Sequence, residues 1–363
     1  MSLSIPSRRG FLASFAAMPV LNEAALAQLS YAGDVPPDAV MINANENPLG
    51  PCPEALEAMG GVLKRGGRYL FGTSMQLAST LADQEGVPTS HVQVYAGSSD
   101  PLHRVVLAFT SSSRPFVTGD PGYEAGERAA TFAGAKTFRV PLTKTFSHDV
   151  RAMVKAAPEG GVFYVCNPNN PTGTLTSRED IEWLVANKPA GGVVLLDEAY
   201  THFCDAQRCT DLVAKGKDII VLRTFSKIYG MAGLRAGAAI GRPDLLDKIR
   251  LYGNFFLPTT GMVGAQVSLT VKSLVPERKK FVKQIREDVF AWLDQRKFAF
   301  TPSVSNCFMI DVKRPGAQVM RALAEQKVII GRSWPSWPNH VRVSVGTPEE
   351  MEKFKRSFAA VTA

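Results

Sequence analysis

Three short segments carry the residues best suited to chemistry. "VCNPNNPTGT" holds Asn170, "LLDEAY" ends in Asp197 and Tyr200, and "VLRTFSKIYG" presents Thr224, Ser226 and Lys227. Each begins in an apolar run and leaves it for polar residues, which is how a buried strand runs out into a loop. In open α/β sheets, ligands bind outside the strand ends where such loops begin. Asn170 and Asp197 are 27 residues apart, and Asp197 and Lys227 are 30 apart. Each interval is long enough for one strand–helix–strand crossover. An asparagine, an aspartate and a lysine on one rim do not make a hydrolytic triad. They suit pyridoxal phosphate. A lysine amine forms a Schiff base with an aldehyde. A carboxylate beside the pyridine nitrogen keeps it protonated, so that the ring withdraws electrons. Asparagine and tyrosine can hydrogen-bond the phenolate oxygen.

The elements that must position these residues are legible as apolar runs of about four to six residues. They are "HVQVYA" (91–96), "RPFVTG" (114–119), "AKTFRV" (135–140), "GVFYVC" (161–166), "GVVLLD" (192–197), "DIIVLR" (218–223) and "AGAAIG" (236–241). Alternation of such runs with helical patterns predicts an α/β fold with a mostly parallel sheet between helices. From about residue 270 the texture changes. "SLVPERKKFVKQIREDVFAWLDQRKF" reads as a long amphipathic helix. Strand-like "NCFMIDV", helix-like "GAQVMRALAEQ", then "VIIG", "HVRVSV" and a helix from Pro348 complete a smaller α+β unit. The expected division is an arm over 28–50, a large domain over 51–255 and a small domain over 256–363.

Composition narrows the function classes. The 363 residues are 45% hydrophobic and 20% charged, with a formal net charge of +8. No apolar run approaches the roughly 18–20 residues of a membrane-spanning helix. The 41 basic residues are spread along the chain, with only small knots such as "RKK" at 278–280. That distribution argues against nucleic acid and suits anionic small substrates. Cys52, Cys166, Cys204, Cys209 and Cys307 form no CxxC pair, and the five histidines form no HxxxH or HExxH. Neither a disulfide framework nor a metal site is expected.

At the N-terminus, "SRRGFLA" (7–13) precedes an apolar stretch and an A-x-A site in "AALAQ" (24–28). This order predicts a twin-arginine signal over residues 1–27, cleaved after Ala27, and a periplasmic enzyme. The alternative is an attached N-terminal helix and a cytoplasmic one. The twin-arginine route exports folded proteins, which suits capture of a cofactor before export.

The motifs together resemble the class I/II aminotransferases of pyridoxal phosphate fold type I, above all histidinol-phosphate aminotransferases. "NENPLG" (45–50), "NNPTG" (169–173), "DEAY" (197–200), "SKIYGMAGLRAG" (226–237) and "VRVSVGT" (341–347) follow the family's order from about residue 40 to the end. The resemblance implies a seven-stranded sheet and a dimer with shared sites. It makes Lys227 the Schiff-base lysine and proton shuttle, Asp197 the pyridinium partner, and Asn170 and Tyr200 the phenolic-oxygen ligands. Thr224, Ser226 and Arg235 would hold the phosphate, with Ser99 and Asp100 opening a helix toward it. Tyr123 would stack on the ring, and Tyr69 would reach the neighbouring subunit's phosphate. Arg342 would bind the substrate carboxylate, with Arg332 and Asn47 also facing substrate.

The chain departs from the family at two places. Pro101 in "SSDP" stands where the family has an acid, a comfortable position in a first helical turn. "SWPSWP" surrounds Arg332 and Trp334, and with Trp337 it is expected to reshape the side-chain pocket. The resemblance implies amino-group transfer between amino and keto acids. Same-fold decarboxylation, cyclisation or oxidation is the alternative, and a non-catalytic pyridoxal phosphate-binding protein a remote one.

Overall fold

β1 (Val40–Ile42) lies in the expected arm, and the seven apolar runs follow it as strands. They are β2 (Val92–Tyr95), β3 (Phe116–Asp120), β4 (Thr137–Pro141), β5 (Val162–Cys166), β6 (Val193–Asp197), β7 (Ile219–Thr224) and β8 (Gly237–Gly241). The computed structural model describes residues 35–253 and 256–363, so the twin-arginine segment and its cleavage site lie outside the described residues.

β2 to β8 form one sheet in the order β2-β8-β7-β6-β5-β3-β4. Only β8 runs against the rest, pairing antiparallel with both β2 and β7. Every residue of β5, β6, β7 and β8 is buried. That is why these strands read as continuous apolar runs rather than as alternating ones: a sheet covered on both faces has no solvent side. The covering elements include helix Ser99–Phe109 against β5 and β6, Arg178–Asn187 against β6, and Thr210–Ala214 against β7 and β8.

The smaller unit is built from β9 (Cys307–Asp311), β10 (Val328–Ile330) and β11 (His340–Ser344) with helices Leu274–Gln295, Gly316–Glu325 and Pro348–Thr362. β9 and β11 pair antiparallel, with Arg342 opposite Met309. Thr347 and Glu350 form a capping box at the start of the last helix, satisfying two backbone N–H groups reciprocally. Phe290 packs edge-on against Phe308, and Phe298 against Phe358, around a core of aromatic rings.

Two connections cross the expected boundaries. β1 pairs in parallel with β10, so part of the arm is a strand of the small unit. Helix Thr259–Thr270 packs against Pro53–Leu63 and Gly72–Glu85 at the large unit's side.

Candidate active site

Register places the chemistry at one level. Cys166 at the end of β5 pairs with Asp197 at the end of β6, and Asp197 with Leu222 of β7, two residues before the strand ends at Thr224. The loops that follow close a cavity of about 220 Å³. Nine of the expected residues line it: Ser99, Tyr123, Asn170, Asp197, Tyr200, Thr224, Ser226, Lys227 and Arg235.

Asp197 is oriented from two sides. The Tyr164 hydroxyl, from β5, donates to Oδ2 at 3.0 Å, and the Ala199 amide donates to Oδ1 at 3.1 Å. Burial, and next the Asp197 carboxylate, hold the Tyr164 phenol well above its ordinary range. It therefore stays a donor. Lys227 is buried, with Nζ 3.5 Å from the Ala44 carbonyl oxygen and 5.4 Å from the Tyr200 ring centre.

A second corner gathers hydroxyls and a guanidinium. Thr224 Oγ1 donates to Ser226 Oγ at 2.9 Å, and the Ser226 amide donates back to Thr224 Oγ1 at 3.2 Å. Arg235 Nη1 donates to Ser226 Oγ at 3.4 Å, and Nη2 to the Ala96 carbonyl at 3.2 Å. Arg235 holds a left-handed backbone, φ 53°, a conformation non-glycine residues keep only where the surroundings enforce it. Gly97 lies against it at φ 91°, and a Cβ there would sit 2.1 Å from Arg235 Nη2. The left-handed backbone favours glycine at this point, and a side chain there would have to push the Arg235 guanidinium aside. Helix Ser99–Phe109 starts beside the corner, adding backbone N–H groups and a favourable dipole for an anion.

Asn45 links the third side. Its Nδ2 lies 3.1 Å from Tyr200 Oη and 3.4 Å from Asn170 Oδ1, donating toward both. Arg342 Nη1 donates to the same Asn170 oxygen at 2.9 Å, and Nη2 to the Asn43 carbonyl at 2.6 Å. Arg342 thus stands one side chain behind the cavity wall.

Four expected residues are elsewhere. Asp100 does not line the cavity: it makes a bidentate pair with Arg104 one turn along its own helix, at 2.6 and 3.0 Å. Asn47 is a turn and tether residue, with Oδ1 accepting from the Leu49 amide and Nδ2 donating to the Ile228 carbonyl. It lines an adjoining cavity of about 380 Å³ instead. Arg332 pairs with Glu124 and lies over the Trp334 ring at 3.9 Å. Tyr69 is 70% exposed, grouped with Phe71 and Phe256. The "SWPSWP" segment forms a tight turn whose Trp334 Nε1 donates to Gly122 O at 2.8 Å and whose Ser336 Oγ donates to Asp120 Oδ1 at 2.7 Å. Neither Trp334 nor Trp337 lines the cavity, so the turn acts on its wall rather than its interior.

Sequence reasoning missed Tyr164, Asn45 and Glu124. Tyr164 had a signal: two residues before Cys166 on a strand, it shares that residue's face.

Beneath Asp197, Arg223 is buried between Glu85 (2.7 and 3.0 Å) and Glu198. Burial opposes ionisation of Glu85, but the Arg223 charge and its hydrogen bonds overcome it and hold the carboxyl down at about 2. Burial, reinforced by Arg208 and Arg223, pushes His202 down to about 3.

These residues fit pyridoxal phosphate on their own chemistry: a buried amine, an oriented carboxylate, and hydroxyls with a guanidinium at a helix start, all on one cavity. The family model for aminotransferase class I and II matches residues 37–358. The chain is 35% identical to histidinol-phosphate aminotransferase 1 of Nitrosococcus oceani over 330 residues, 87% of each. It is 32% identical to an aromatic amino acid aminotransferase of Cutibacterium acnes over 321 residues, 87% of this chain and 90% of that one. A solved histidinol-phosphate aminotransferase from Sinorhizobium meliloti, in complex with pyridoxal-5'-phosphate, shares the fold with a TM-score of 0.86 over 99% of each chain at 22% identity. With that fold, those relatives and this donor set, the chain belongs to the class I and II aminotransferases, transferases whose cofactor is pyridoxal phosphate.

Proposed function

We propose that the protein moves an amino group from an α-amino acid to a keto acid at the cavity under Lys227. The observation that carries this is the meeting of Lys227, Asp197 and the Ser226–Arg235 corner around one cavity. When bound, pyridoxal phosphate supplies an aldehyde for amines and a ring that withdraws electrons from the substrate α-carbon.

The rest falls to the chain. Lys227 Nζ would hold the aldehyde covalently, and its amine, once freed by the donor, would serve as the base that moves the substrate α-proton. Asp197, held by Tyr164 and Ala199, would pair with the pyridine nitrogen. Asn170 and Tyr200 would hold the phenolic oxygen, Tyr123 would cover the ring, and Ser99, Thr224, Ser226 and Arg235 would hold the phosphate. Arg342 would take the substrate carboxylate. Asn170 also accepts from Arg342, so carboxylate and cofactor sites share one residue.

A dimer with shared sites is part of the reading, supported by the exposed aromatic group of Tyr69, Phe71 and Phe256. So is export by the twin-arginine route, supported by "SRRGFLA". Fractionating a tagged full chain tests the latter; retention in the cytoplasm rejects it.

The experiment for the reaction is spectroscopic. Purified protein should carry the visible absorbance of lysine-bound cofactor, and Lys227→Ala should lose it. Single amino acids should convert the bound cofactor to its amine form. Carbon dioxide release without that conversion would instead identify a decarboxylase.

A further inference from the structure

The hydrogen bonds behind the cavity have a direction, which is set by the one group among them that cannot accept. Arg342 Nη1 lies 2.9 Å from Asn170 Oδ1. A guanidinium only donates, so the Asn170 atom that faces it is the oxygen. Asn45 meets that same oxygen at 3.4 Å, and the atom it presents is therefore its amide nitrogen. The other end of the Asn45 amide agrees. Its Oδ1 accepts from the Ser344 hydroxyl at 2.9 Å, while the Ser344 oxygen accepts from the Asn45 backbone amide at 2.8 Å. From the same Nδ2, Tyr200 Oη accepts at 3.1 Å. Cys307 Sγ accepts at 3.2 Å and turns its own proton toward the Pro171 carbonyl. Asn45 is fully buried and holds φ 52°, a left-handed conformation that glycine, asparagine and aspartate tolerate best.

We propose that Asn45 is a positioning residue, which by donating to Asn170 and Tyr200 together makes both of them donors toward the cofactor's phenolic oxygen. The inference rests on the roles proposed for Lys227, Asn170 and Tyr200, and it adds a residue that stands behind them. Asn170 and Tyr200 line the cavity, whereas Asn45 acts on it only through them. With Oδ1 turned to Arg342 and Asn45, the end of Asn170 that can serve a phenolic oxygen is Nδ2, a donor. With its oxygen accepting from Asn45, Tyr200 sends its own proton in another direction than Asn45. Donors on a phenolic oxygen favour its anionic form. A lysine-bound cofactor held in this way gives up its proton at a lower pH than one whose oxygen faces an acceptor.

The test is a pH titration of the visible absorbance of the holoenzyme without substrate. Asn45→Gly keeps the left-handed backbone and removes the donor, and its midpoint is expected to rise by about half a pH unit or more. Asn45→Asp keeps the shape and puts an acceptor where the donor was. Its midpoint is expected to rise further, by about one pH unit or more. A residue that only packs would lower the melting temperature of both variants without that ordered rise. A midpoint that does not rise in either variant, once folded by thermal melt and loaded with cofactor, overturns the inference and leaves the cavity reading standing. A wild type without lysine-bound absorbance overturns both.

Discussion

Tyr164 on β5 donates its hydroxyl to Asp197 on β6 across 3.0 Å, with both side chains buried. A hydrogen bond to a charged group contributes about 1.5–3 kcal/mol. Tyr164→Phe removes the donor and keeps the ring that packs at 5.9 Å from Phe116. The variant should fold normally while its kcat/KM falls by about tenfold or more. Steady-state kinetics beside a thermal melt checks this; unchanged kinetics would remove Tyr164 from the site.

Gly97 gives a sharper steric test. Its φ of 91° is strained for any side chain, and a methyl group would stand 2.1 Å from Arg235 Nη2, so the guanidinium would have to move. Gly97→Ala should displace Arg235 and weaken cofactor binding by about a hundredfold, as expected for loss of a charge-assisted phosphate contact. Cofactor titration followed by absorbance gives the answer, and a binding constant within threefold of wild type would contradict the phosphate assignment.

Stability should fall on acidification, with an identifiable order. Burial pushes His148 down to about 4 from an ordinary 6.5. Between those values the unfolded chain binds a proton that the folded chain refuses, so folding weakens as pH drops below 6.5. The slope is up to about 1.4 kcal/mol per pH unit for one group. Glu85, held at about 2 against an ordinary 4.5, adds loss of the same sign only below pH 4.5. Urea midpoints at pH 7, 5.5 and 4.5 should decline steadily; because buried His202, pushed down to about 3, loses stability over the same window, His148→Gln should remove only part of that decline. A slope untouched by the substitution would assign it elsewhere.

The ion cluster under the site predicts a large, purely structural effect. Glu85→Ala leaves Arg223 buried with Glu198 as its remaining carboxylate partner. Breaking a buried pair from one side costs about 3–5 kcal/mol. Urea unfolding should report a drop of that order, and a change below about 1 kcal/mol would mean that the cluster relaxes by admitting water.

The exposed aromatic group tests the dimer. Phe71→Glu places a charge between Tyr69 and Phe256, each about 5 to 6 Å from its ring. The wild type should sediment as a dimer and the variant as a monomer. A monomeric wild type rejects the shared site.

The strands were legible because a doubly covered sheet writes itself as unbroken apolar residues, as in Val193–Asp197. The nine cavity-lining residues were legible because each sits within a few positions of a strand end. Their partners were not, because contact order hides them. Asn45 meets Ser344 across 299 residues and Tyr200 across 155. Arg332 and Glu124 are equally remote. Asp100 opens the expected helix, but its side chain is not on the cavity for a local reason: Arg104, four residues on, is on the same helix face and captures the carboxylate. Asn47 lines the adjoining cavity and caps a turn; a turn residue and a ligand look alike when only residue type is read.

Asn45 makes contact in four directions at once. Its backbone amide donates to Ser344 Oγ, whose hydroxyl donates back to Asn45 Oδ1, while Nδ2 lies within reach of Tyr200, Asn170 and the Cys307 thiol. Ser344 and Cys307 face each other across β11 and β9, whereas Tyr200 and Asn170 follow the central sheet. A single amide therefore works as a surveyor's peg between two bodies of the molecule. If the smaller body tilts, the displacement arrives first at the groups around the reacting atoms.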